Sequence, residues 1–311
     1  MNISEFFNKF PDEETCKNHF KKYRDKVGVV CKKCGCKEHY WLSTINYYKC
    51  KECGFRTSLK SGTVMENSKL PFKYWYMAFM FVTSTKKSFS SLEMQRQLNH
   101  KYYEPIWSMM HKIRRVMNKA DEEFKLDNSI ELDEGFFVTV PNKEERQEYK
   151  DQKLKRGVGS QRNSKVIVMV ESILNNEQTN KHKPNRIVKR LKMVHVEDYK
   201  SDNLTKELNK SVNLSTTSIL TDDARHYSKL KGLTDNKHTA INTKNIKSDT
   251  ALPWVHKTIS NAKRLFLGIY HSIGRDYTQN YLSEYCFKFN RRYDADMFDV
   301  LLNFSVKYTW Y

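Results

Sequence analysis

Residues 31–54 read CKKCGCKEHYWLSTINYYKCKECG, in which Cys31 and Cys34 are followed, after fifteen residues, by Cys50 and Cys53. Each Cys-x2-Cys pair sits in a glycine-containing turn, CKKCG and CKECG, and two thiolate pairs at this spacing close one tetrahedral Zn²⁺ site. The stretch therefore predicts a structural zinc ribbon. Between the pairs, HYWLSTINYYKC has the aromatic and β-branched content of a hairpin that presents the metal. A pair of free surface thiols is the competing reading, and disulfide pairing stands behind it. The opening residues MNISEFFNKF lack the pattern of a secretory signal, and the thiols of an intracellular chain stay reduced. Cys36 competes with Cys34 as a ligand, whereas Cys16 and Cys286 read as core or incidental positions.

Outward from the ribbon, which spans residues 28–60, the sequence turns helical on both sides. Residues 1–27 form a helical lead-in, with Phe6, Phe7 and Phe10 first and an acidic helix start at Asp12 to Glu14. On the other side LPFKYWYMAFMFVTS, from Leu70 to Ser84, opens with a proline suited to a helix start and is apolar on nearly every side, which predicts a buried helix. A shorter helix follows over Ser90 to Leu98, then a polar turn at Asn99 and His100. Pro105 opens a helix in which Ile106, Met109, Met110, Ile113 and Met117 recur at helical spacing as a core stripe. Its opposite face offers Lys112, Arg114 and Arg115. The two helices fit a helix-turn-helix whose second helix enters the major groove, making residues 61–120 a DNA-binding region.

Composition agrees with a folded, basic protein. At 311 residues, with 39% apolar and 13% aromatic residues, the chain has material for a substantial core in two or three domains. Its longest apolar run, Tyr74 to Val82, is far short of the ~20 residues of a membrane span, so a soluble, cytoplasmic, DNA-associated protein is expected. The net charge of +19 is uneven, +13 in residues 1–120 and +6 in the rest. A basic segment holding a ribbon favours a polyanionic partner, most simply nucleic acid.

Beyond residue 120 the texture becomes that of a mixed α/β domain. IELDEGFFVTV, KVIVMVESI, IVKRLKMVHV and SILTD read as strands; Tyr199 to Val212 and Pro253 to Tyr270 read as helices; and Asn142 to Ser164 is polar and reads as a mobile loop. Asp133 lies within the first strand and Asp222 ends the fourth. One acidic residue at a strand end is ordinarily a cap or a salt-bridge partner. Two of them in a basic chain point to divalent-metal chemistry on phosphodiesters.

The succession of ribbon, helical pair, ELDE, TDD, LPWVHKTISNAKRLFLGIYHSI and YLSEYCFKFNRR resembles the ISXO-like insertion-sequence transposases over essentially the whole chain. KRGVGSQRNSKVIVMVES and the closing FNRR are the most particular of the shared segments. The resemblance implies a ribonuclease-H-like, DDE-type core over residues 121–311. It puts the first two catalytic, metal-holding aspartates on Asp133 and Asp222, with Mg²⁺ or Mn²⁺ as cofactor. The third acidic position has no glutamate here. Counting seven residues back from Lys263, the characteristic lysine, gives His256; Asn261 is the competing candidate. Seven residues is about two turns, so His256 and Lys263 share a helix face while Asn261 lies about 140° away. A neutral third ligand would tolerate Mn²⁺ better than Mg²⁺. Lys263, Arg264 and His271 would approach the DNA backbone, and Arg291 and Arg292, after Asn290, would cap a helix or grip phosphate.

The function expected is DNA transposition: binding the element's terminal repeats, cutting, and joining to target DNA, by at least a homodimer on DNA. An inert zinc-ribbon DNA-binding regulator is the alternative, marked by loss of the carboxylates, both of which are present. An RNA-processing nuclease would be distinguished by a preference for RNA.

Overall fold

Asn2 and Asp12 begin the first two helices by accepting backbone N–H groups on their side chains; α1 spans Ile3–Lys9 and α2 spans Glu13–Val27. Next comes the ribbon, a three-stranded antiparallel sheet of β1 (His39–Leu42), β2 (Tyr47–Cys50) and β3 (Arg56–Ser58), which contains the expected hairpin and one strand more. α3 covers Phe72–Ser84 directly after Pro71 and buries Trp75, Tyr76, Phe79 and Met80. α4 is Ser91–Gln97, capped by Ser90, and α5 is Tyr103–Glu122. α5 starts ahead of Pro105, because a proline in the first turn removes an N–H that has no intrahelical acceptor.

The stripe Ile106, Met109, Met110, Ile113 and Met117 is buried as expected, but the opposite face of α5 is not open. Lys112 and Arg114 are buried too. Lys112 Nζ donates to the Glu66 carbonyl at 2.9 Å, and Arg114 donates to the Phe89 carbonyl at 3.2 Å. Their stems pack among apolar neighbours while their charged ends meet backbone oxygens. Of the three cations expected on this face, Arg115 alone is exposed.

The next elements are β4 (Ser129–Val138), α6 (Lys143–Glu148), β5 (Asn163–Leu174), β6 (Arg186–Val196), α7 (Ser201–Ser211), β7 (Ser218–Asp222), α8 (Leu230–Leu233), β8 (His238–Ile241), α9 (Ser248–Ala251), α10 (Pro253–Tyr270) and α11 (Thr278–Asn290). The computed structural model describes residues 1–150, 155, 160–175, 185–224, 227, 230–233, 238–242, 248–294 and 296–311. The polar stretch expected as one loop contains α6, capped by Asn142, and part of KRGVGSQRNS lies outside the described residues.

The strands form one mixed sheet in the order β6-β5-β4-β7-β8, with β5 antiparallel to β4 and β6, and β7 parallel to β4 and β8. Alternation along the strands sorts the core into two layers. Ile130, Leu132, Ile167 and Met169 pack with Leu204 and Leu208 of α7. Phe137, Val166, Val168 and Val170 pack on the other face with Val255, Ile259 and Ala262 of α10 and Leu282 of α11. This mixed α/β architecture is the one expected of the core.

The last helix, α12 (Met297–Lys307), belongs elsewhere. Its Phe298 ring lies 5.7 Å from Phe10, 5.9 Å from Tyr76 and 6.4 Å from Phe79, and the buried Arg24 donates to the Val306 carbonyl at 3.3 Å. By packing the chain divides into Met1–Ala120 with Arg291–Tyr311 as one unit and Asp121–Asn290 as the other. Residues 291–311 thus complete the ribbon-bearing unit, whereas the sequence reading carried the core through to residue 311. Among the described residues no helix is long and apolar enough to cross a membrane.

Candidate functional site

The ribbon gathers four sulfurs. Those of Cys31, Cys34, Cys50 and Cys53 lie within 4.8 Å of one another. The two turns delivering them match: Gly35 N–H donates to the Cys31 carbonyl at 2.9 Å and Gly54 N–H to the Cys50 carbonyl at 3.1 Å. Both glycines have positive φ, 76° and 71°, a backbone region closed to most side chains and the reason each pair runs into glycine. Backbone N–H groups of the second turn, that of Cys53 foremost, lower the Cys50 thiol to about 6, toward the thiolate that zinc requires. The donor set fits one structural zinc. Cys36 stands outside it, accepting from Glu38 N–H at 3.3 Å, and Cys16 and Cys286 are buried.

A second, looser cluster lies in the sheet-bearing unit. β4 and β7 run parallel with Glu131 opposite Leu220, and carrying that register two residues further sets Asp222 alongside Asp133. Both aspartates lie on the face covered by α10, because Leu220 and Phe137, in step with them along the strands, pack in that layer. His256, in the first turn of α10, places Nδ1 at 3.6 Å from Asp133 Oδ2; the two side chains are 26% and 14% exposed, so both are reachable from solvent. Burial raises the Asp133 carboxyl to about 6. The Glu134 N–H opposes that shift, the Glu134 carboxylate adds to it, His256 opposes it, and Asp222 adds to it. A buried carboxyl strained by neighbouring carboxylates is one whose charge a bound cation would relieve, and carboxylate oxygens and an imidazole nitrogen are donors of the kind a divalent cation takes. Among the described residues, the four cysteines are the one group of three or more such side chains whose donor atoms gather closely enough to hold a metal ion, and Asp133, Asp222 and His256 do not gather so.

The comparisons with known proteins meet this geometry. Residues 125–290, more than half of the chain, match the ISXO2-like transposase domain. The chain belongs to the ISXO2-like transposase family. Residues 11–56 match the transposase zinc-ribbon domain, which contains all four clustered cysteines. No match is found among curated proteins. The matched transposase domain ends at Asn290, the residue at which the sheet-bearing unit also ends.

The other residues singled out in this transposase fall in different settings. Asn261 is exposed and accepts from Arg264 Nη2 at 2.8 Å, on a side of α10 away from Asp133. Lys263 is exposed, with Nζ 5.8 Å from the Phe137 ring centre, and lines with His271 and Leu267 a hollow of about 220 Å³. Arg291 is buried and donates to the Ala120 carbonyl at 3.3 Å, which removes it from the open face expected of a phosphate grip. Arg292 is half-buried over the Tyr293 ring, and Arg115 donates to the Trp310 carbonyl at 3.3 Å.

Two carboxylates beside the cluster escaped the sequence reading. Glu134 accepts from the buried Tyr227 hydroxyl at 2.5 Å. Glu131, two residues before Asp133 and therefore on the same strand face, is buried against the start of α10. The signal was in ELDE itself, since a charge on a buried strand face demands a partner.

Proposed function

We propose that this chain is an insertion-sequence transposase that binds the ends of its element, cleaves DNA there and joins the freed end to target DNA. What carries the reading is the meeting of Asp133 with His256 at 3.6 Å, beside Asp222, in a chain whose core matches the ISXO2-like transposase domain. Asp133 and Asp222 hold the divalent ions, and His256 takes the third position in preference to Asn261. Mg²⁺ or Mn²⁺ held there would supply Lewis-acid activation for phosphodiester cleavage and joining. Lys263, two turns beyond His256 and exposed, neutralises backbone phosphate, with Arg264 beside it. The ribbon, with zinc on Cys31, Cys34, Cys50 and Cys53, and the helices that follow read the terminal repeats; Arg115 is an exposed cation of α5. Two ends must meet for joining, so the protein acts as at least a homodimer on DNA.

The test is cleavage and joining of labelled DNA carrying the element's ends, in Mg²⁺ or Mn²⁺. Wild type should give metal-dependent products that Asp133→Ala and Asp222→Ala all but remove, His256→Ala reduces strongly and Asn261→Ala leaves. End binding without cleavage in either metal would replace this reading with the inert regulator.

A further inference from the structure

Helix α10 lacks a cap of its own. Its N-cap residue is Leu252, with no side-chain acceptor, and its first residue is Pro253, which has no N–H to offer. The next two N–H groups, of Trp254 and Val255, have no intrahelical acceptor and both donate to Glu131 Oε2, at 2.7 and 2.9 Å. His256 N–H then closes the first intrahelical bond, to the Leu252 carbonyl at 3.3 Å. Every donor of the first turn is thereby accounted for, and two of them are held by a residue of a distant strand. Glu131 is 7% exposed, and its negative charge lies at the positive end of an 18-residue helix.

Glu131 and Asp133 project from the same face of β4, two residues apart, while Trp254, Val255 and His256 follow one another on α10. The strand therefore grips the helix through one carboxylate at the residues just before the one it meets with the next. We infer that Glu131 is a positioning residue: it clamps the first turn of α10 to β4 and so fixes His256 against Asp133. The inference rests on the reading of Asp133, Asp222 and His256 as a metal site. α3 is started in the same manner, by Pro71 and a remote glutamate; Glu13 accepts from Phe72 and Lys73 N–H at 2.8 Å each. At α10 the residue that follows the clamped pair is His256, so what is elsewhere a helix start here also sets a ligand distance.

The experiment compares Glu131→Ala and Glu131→Gln in the full chain by three measurements. These are hydrogen exchange at the Trp254 and Val255 amides, Mn²⁺ affinity by EPR titration, and the ¹⁴N modulation that a ligated imidazole imposes on bound Mn²⁺. In Glu131→Ala we expect exchange at the two amides to quicken about tenfold, Mn²⁺ to bind about tenfold more weakly, and the imidazole modulation to vanish. Glu131→Gln keeps an acceptor oxygen without the charge and should show about threefold changes with the modulation retained. A glutamate that only stabilised the fold would lower the melting temperature and leave the imidazole signature intact, and that result overturns the clamp. Should Glu131→Ala not fold, Glu131→Gln decides, and exchange and affinity equal to wild type refute it. Wild type without imidazole modulation, or with a modulation that survives His256→Ala, sinks the metal-site reading and the clamp together.

Discussion

The two donor clusters of this transposase are assembled in opposite ways. The cysteine site draws all its ligands from residues 31–53, through two matching turns joined by one hairpin. The carboxylate cluster proposed as the catalytic site draws Asp133 from β4, Asp222 from β7 and His256 from α10, and its geometry depends on a strand register and on where one helix starts. A local site forms wherever its short stretch folds. A distributed site is only as accurate as the core that holds its parts together, which is why contacts such as those of Glu131 with the first turn of α10 bear on it.

That contrast can be broken most forcefully at the ribbon. Replacing Cys50 and Cys53 with Ser should eliminate the bound zinc, whose contribution to folding in such sites is about 10 kcal/mol or more, and abolish specific end binding. The Asp121–Asn290 unit should still unfold cooperatively, as followed by circular dichroism. Loss of its transition as well would show that the ribbon is not a self-contained site. Next in size, Asp133→Ala should lower cleavage by about 10³-fold, equivalent to ~4 kcal/mol of barrier, while leaving end binding in a gel-shift assay unchanged.

Smaller effects sharpen the comparison. His256→Ala should slow cleavage by about 10²-fold and Asn261→Ala by less than about twofold. The reverse order would move the third position to Asn261. On α5, Arg114→Ala should destabilise its unit by about 2 kcal/mol in urea unfolding, because it removes a buried side chain and its bond to the Phe89 carbonyl, whereas Arg115→Ala should change stability by less than ~0.5 kcal/mol and weaken DNA binding. Smallest is a pH effect at Asp133. Its carboxyl is raised to about 6 in the fold from an ordinary 3.8, so below pH 4 it is protonated in both states, and above 6 the fold bears an unfavourable charge. Metal-free Asp133→Asn should therefore be more stable than wild type by about 1–2 kcal/mol at pH 7.5, an advantage that fades as pH falls from 6 to 4. A difference independent of pH would contradict the burial of that charge.

The sequence by itself determined whatever depends on neighbours along the chain. Spacing and glycine made the ribbon legible, runs rich in β-branched and apolar residues marked β4, β5 and β6, and Pro253 marked the start of α10 to the residue. The fate of long cationic side chains was not legible. Lys112, Arg114 and Arg291 look in sequence like contacts for DNA, yet each is buried with its charged end on a backbone carbonyl, because a flexible stem lets tertiary packing choose between solvent and interior. Nor could local pattern foresee that α12 packs with the N-terminal helices, since an apolar stripe states that a partner exists and not which one. In sequence His256 and Asn261 differ only by a count along one helix; the seating of α10 on β4 brings His256 Nδ1 to 3.6 Å from Asp133, while Asn261 accepts from Arg264. Chain-local chemistry follows from bonded spacing, while a site built from three distant elements follows from register and packing, which exist only once the core has formed.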